Sequence, residues 1–185
     1  MSYPASIVTS QAVCTAIREI AGRASWSVRI HAAALALREL TGRDPRIVPV
    51  RAVAYTRGAV LRLGGALFPT SAGELEYFRE QVGRGMLLLG FDSVHAVVAF
   101  DDHALELSLP GDHTAGVMTE PFAFEAALGR ERALQASAPR FGVSYVFDVT
   151  HVSSQLPAQK IDPLAQRIAD RARELLDEGR IARGA

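Results

Sequence analysis

The sequence predicts an α+β fold: an antiparallel sheet packed against a central alanine-rich helix and flanking helices. Three observations lead there. Residues 27–40 carry an apolar stripe at helical spacing on an alanine-rich background. Residues 93–110, SVHAVVAFDDHALELSLP, alternate as two strands joined at Asp101-Asp102. Helical and strand patterns also fall in groups rather than in strict βαβ alternation, which favours segregated layers.

Along the chain, Val13, Ile17 and Ile20 recur at helical spacing from Ser10 to Arg23, with Ser10 available as a cap. The second helix, from about Ser27 to Leu40, places Ile30, Ala34, Leu37 and Leu40 on one side. Ala32, Ala33, Ala34 and Ala36 keep it thin enough for close approach, and Gly42 ends it. RIVPVRAVAY, ending at Tyr55, reads as a strand, and Pro49 argues for an edge or a bulge because it offers no N–H to a ladder. Residues 56–72 read as irregular, and Ala72 to Val82 as a helix with Leu75, Phe78 and Val82 on one side. MLLLG, 86–90, is either strand or turn. Residues 111–142 form an irregular stretch, and 144–152, SYVFDVTHV, a strand. Asp162-Pro163 then opens a terminal helix with a cap and a first-turn proline.

The 185 residues suit a single domain spanning 1–185, since domains run to about 100–200 residues and no linker-like tract is present. Twenty basic residues balance twenty acidic ones, which speaks against broad nucleic-acid binding. Cys14 is the only cysteine, so neither an intrachain disulfide nor a multi-cysteine metal site can form. The start of the chain lacks a secretory pattern, and no apolar run reaches the roughly 18 residues of a spanning helix. The expectation is a cytoplasmic protein that does not engage a membrane. No cofactor is implied, because the glycines of RLGGALF and GRGMLLLG fit no phosphate-loop spacing.

The hairpin carries the chemistry. With Asp101-Asp102 as a two-residue turn, Phe100 faces His103, Val97 faces Glu106 and His95 faces Ser108. One face then collects Val94, Ala96, Val98, Phe100, Leu105, Leu107 and Leu109, and the other His95, Val97, Ala99, Ala104, Glu106 and Ser108. His95 and Glu106 become diagonal neighbours, about 7–8 Å apart at the backbone and within side-chain reach. A carboxylate aimed at an imidazole fixes its tautomer, as a catalytic base requires. The plainer reading is a surface ion pair on a half-exposed face. The alanine-rich helix is the candidate to cover this face.

The alanine-rich helix, the strand PRIVPVRAVAY, a strand beginning at a histidine and a strand carrying an acid together resemble the papain-like and transglutaminase-like superfamily. Similar small bacterial and phage proteins share that build through LRELTGRDPRIVPVRAVAY, VHAVVAF, ALELSL and LAQRIADRARELL. The resemblance covers about residues 24 to 180. It implies an imidazole at His95, an orienting acid at Glu106 in place of the usual aspartate, and a nucleophile at the start of the second helix. There the sequence reads Ser25-Trp26-Ser27, with no cysteine. Ser27 is the better nucleophile candidate, its alternative being a helix cap, while Ser25, Trp26 and Ser108 would line the cleft. Trp26 could also plug it.

Serine cannot be pre-ionised as a cysteine can, and it demands a base and an oxyanion hole. The implied function is therefore a degenerate member, non-catalytic or altered in activity, that binds a peptide, protein or small molecule in the former cleft. The alternative is an acyl-transfer enzyme, hydrolase or transferase, using Ser27, His95 and Glu106. Cys14 reads as a buried small hydrophobe. His31 reads as a packed helix residue able to touch Ser27. His103, with Asp101, Asp102 and the Asp112-His113 pair, reads as a solvated turn group without metal-ligand spacing.

Overall fold

A computed structural model of the chain describes residues 3–55, 59–63, 76, 79–80, 83–84, 87–90, 95–100, 102–107, 121–125, 135–138, 143–147 and 162–181. Among these residues stand three long helices: α1 (Ile7–Ala21), α2 (Trp26–Thr41) and α3 (Pro163–Asp177). The strands are β1 (Arg46–Tyr55), β2 (Ala59–Leu63), β3 (Leu87–Gly90), β4 (Ala96–Phe100), β5 (His103–Glu106), β6 (Phe122–Glu125), β7 (Gln135–Ala138) and β8 (Val143–Phe147).

The candidate site residues His95 and Glu106 lie at the four antiparallel strands β1-β4-β5-β6. β2 and β8 extend β1, β7 joins β8, and β3 runs parallel to β2. The strand at Ala59–Leu63 corrects the irregular reading of 56–72, and β6 and β7 correct that of 111–142. Both misread stretches depend on pairing with distant partners rather than on a local pattern. The helix expected over 72–82 lies largely outside the described residues.

β1 is a central strand, paired with β2, β4 and β8, and not the edge that Pro49 suggested. The Val50 N–H donates to the His95 carbonyl at 2.9 Å, so the N–H directions of neighbouring positions alternate away from β4. Pro49 therefore lacks its N–H on the side away from β4. There, among the described residues, no strand pairs with positions 46–49. Among the described residues the proline therefore removes no ladder bond.

α1 starts three residues before the expected cap. Ser6, not Ser10, is the N-cap, and its Oγ accepts from the Thr9 N–H at 3.3 Å. Ser10 instead falls on the buried face with Val13, Cys14 and Ile17. α2 ends at Gly42, whose φ of +69° is open to glycine and whose N–H returns to the Arg38 carbonyl at 2.8 Å. All residues from Ala32 to Leu37 are buried, because α2 touches α1, α3, β1 and β4 together. Asp162 caps α3 by accepting from the Ala165 N–H at 2.8 Å, with Pro163 in the first turn. No helix among the described residues is long and apolar enough to cross a membrane.

The β4–β5 register is Val98 to Leu105, Ala99 to Ala104 and Phe100 to His103, which leaves positions 101 and 102 as the connection. Ile47, Ala96, Val98, Phe100, Leu105 and Leu107 join the helices in one apolar cluster. The three helices thus cover that face. Val48, Val50, Val97, Ala99, Ala104 and Phe124 are buried outside this cluster, on the opposite face by alternation. The hairpin is therefore buried on both sides rather than half exposed. The body of α2 lies over the apolar face, so the expectation that this helix covers the His95–Glu106 face holds only at its first residue, Trp26, whose ring stacks on His95.

A candidate ligand site at His95 and a second histidine at the hairpin turn

His95 sits where β4 begins and faces Val50 of β1, while Glu106 ends β5. Both are buried, at 3% and 0% exposure. Their side chains meet with Nε2 and Oε2 2.8 Å apart. The carboxylate accepts, so Nε2 carries a hydrogen, and in the neutral ring Nδ1 is then an acceptor. No described residue hydrogen-bonds to Nδ1. Burial of both groups places this hydrogen bond in a region of low dielectric, where it is stronger than in water.

Trp26, the first residue of α2, lies over this pair. Its ring and that of His95 are nearly parallel, 16° apart, with centroids separated by 6.2 Å. The indole Nε1 is buried and has no hydrogen-bond partner among the described residues. Such an orphan donor is uncommon in a native interior and calls for an explanation.

Ser27 does not join them. It is exposed, and its Oγ contacts the Ser25 Oγ at 3.3 Å. Ser25 is the N-cap of α2 but makes no side-chain capping bond. His31 donates from Nδ1 to the Ser27 carbonyl at 2.8 Å, touching its backbone rather than its hydroxyl. Ser108 lies outside the described residues, as do Val94, Leu109 and the Asp112-His113 pair. Cys14 is fully buried; burial, and then the negative field of Glu106, push its thiol pKa far up, which leaves an inert thiol at neutral pH.

The structure corrects the reading of His103. This residue is 1% exposed, and its ring meets the edge of Phe100 at a centroid distance of 5.6 Å. Nδ1 lies 2.9 Å from Asp102 Oδ1, and Nε2 lies 2.7 Å from Ser10 Oγ on α1. The imidazole N–H donated to Asp102 holds that carboxyl below the usual carboxylate range. With Nδ1 protonated, a neutral ring accepts at Nε2 from the Ser10 hydroxyl. Two signals pointed here. His103 shares strand parity with Leu105 and Leu107, so it must face the helices. Ser10, Val13, Cys14 and Ile17 have the spacing i, i+3, i+4, i+7, so Ser10 must lie on the buried helix face.

Among the described residues no group of three or more histidine, cysteine or acidic side chains is arranged to hold a metal. Compared with known proteins, the chain matches no family model, no curated protein and no solved structure.

Proposed function

We propose that the protein is a binding protein of papain-like or transglutaminase-like build that takes a ligand against Trp26 and His95 without acyl transfer through Ser27. The observation that carries this is the unpaired, buried Nε1–H of Trp26, whose ring stacks on that of His95. A buried donor without a partner costs about 1–3 kcal/mol. A ligand offering an acceptor removes that cost at the indole, and a donor on the same ligand, as in a peptide segment, can bond His95 Nδ1. Glu106 keeps the imidazole in the tautomer that leaves Nδ1 free to accept. The Ser27 hydroxyl, turned to Ser25 and solvent, supports binding over the alternative of an acyl-transfer enzyme built on Ser27, His95 and Glu106.

Trp26 is the only tryptophan, so its emission reports on this site alone. A set of N-acetyl dipeptide amides titrated into the protein should include members that shift the emission saturably, and His95→Ala should abolish the shift. No response to any member up to millimolar concentration overturns the reading. Ser27 labelled by a fluorophosphonate in the folded protein would favour the acyl-transfer alternative instead.

A further inference from the structure

A second arrangement stands apart from the His95 site, at the turn of the hairpin. Ser10 Oγ, His103 Nε2, His103 Nδ1 and Asp102 Oδ1 form one hydrogen-bonded line, with steps of 2.7 and 2.9 Å across the ring. Many buried histidines find one partner. Here both nitrogens are engaged, a hydroxyl on one side and an acid on the other. That order places the hydroxyl proton next to the only ring nitrogen able to accept it, and the acid where it stabilises the imidazolium formed.

We propose that Ser10, His103 and Asp102 act as nucleophile, base and orienting acid in acyl transfer from small uncharged esters. In the first step Ser10 Oγ forms a bond to the ester carbonyl carbon and its proton passes to His103 Nε2. The carbonyl–alkoxy bond then breaks, and the leaving alcohol departs with that proton. Water attacks the acyl-serine in the same way, giving one proton to Nε2, and the proton returns to Ser10 Oγ as the carboxylic acid leaves. Atoms and charges balance with water as the only co-reactant.

The pair is enclosed, and an ester reaches it only by local opening between α1 and the hairpin. Ser10 and His103 are themselves buried, yet Ile7, one helical turn before Ser10, is 38% exposed, and the side chain of Asp102 is 86% exposed. Glu125, which faces His103 across β5 and β6, is also exposed. Surface therefore lies one turn or one residue away on three elements. The two carboxylates at this surface, Asp102 and Glu125, oppose anionic substrates, which fits uncharged esters.

The test is to expose the folded full chain to a fluorophosphonate probe and map the adduct by peptide mass. The expected result is an adduct on Ser10 whose rate of formation falls by about 100-fold or more in His103→Ala, the scale of a lost general base. Should that variant not fold, His103→Gln serves. Its amide can still accept from Ser10 but cannot take up the proton, so the same loss is expected. Asp102→Asn should slow labelling, and Asp102→Glu should restore part of it. A folded protein without a Ser10 adduct overturns the proposal, as does one labelled equally fast after His103→Gln. The line would then be a structural tie between α1 and the hairpin.

Discussion

The two histidines of the hairpin use the same chemistry in opposite ways. His95 is protonated on Nε2, because its acid, Glu106, lies at that nitrogen, and both members are buried. His103 is protonated on Nδ1, because Asp102 lies there, and its acid is in solvent while the ring is not. His95 leaves its remaining nitrogen without a partner among the described residues, beneath an indole. His103 gives its remaining nitrogen to the Ser10 hydroxyl. The position of the acid decides which nitrogen becomes the base, and the face of the strand decides what that nitrogen meets.

The sharpest way to break this comparison uses the two sulfur- and oxygen-bearing residues one turn apart on α1. Cys14 lies near the charge of Glu106, whereas Ser10 is bonded to His103. Native Cys14 should react with a disulfide reagent at least about a thousandfold more slowly than in the unfolded chain, since reaction requires opening of the core. Its pKa is raised on folding, so the stability it contributes is full below its ordinary value of 9.0 and declines as pH rises beyond it. Rapid native labelling at neutral pH would show that the α1 face is open.

Next in size is removal of the acids. Glu106→Ala leaves a buried imidazole without its partner and should cost about 3–5 kcal/mol in urea denaturation, the scale of a broken buried pair. Asp102→Ala removes a largely exposed partner and should cost under about 1 kcal/mol. Equal costs would mean that the two pairs do not differ as described. Ser10→Ala falls between them at about 1–3 kcal/mol, because it leaves the buried Nε2 of His103 without its hydrogen bond.

The smallest effect concerns acid. Asp102 has its carboxyl pKa lowered on folding, so its contribution is present above the usual value of 3.8 and is lost as pH falls through the lowered one. The stability difference between the native chain and Asp102→Asn should therefore shrink from pH 7 towards pH 3. The exposed Glu19, whose carboxyl is likewise held down by Arg171 at 2.7 Å, loses its contribution over the same acid range. A difference that grows with acid would contradict the assigned Asp102–His103 contact.

By itself the sequence determined whatever depends on local periodicity. The α+β class, the spans of α2 and α3, the Gly42 and Asp162 caps and the hairpin register all follow from spacing and turn chemistry. So does the meeting of His95 and Glu106, because a two-residue turn leaves only one register that keeps the leucines together. What occupies the space above a face is not a local property. Pairing across the sheet decided that Pro49 belongs to a central strand and that Ala59–Leu63 is a strand at all. Docking of the helices decided that α2 covers the apolar side, that Trp26 rather than Ser27 meets His95, and that His103 is drawn inside to Ser10. A residue 93 positions away in sequence can be a hydrogen-bond partner only after the chain has folded, so no reading of neighbours along the chain could name it.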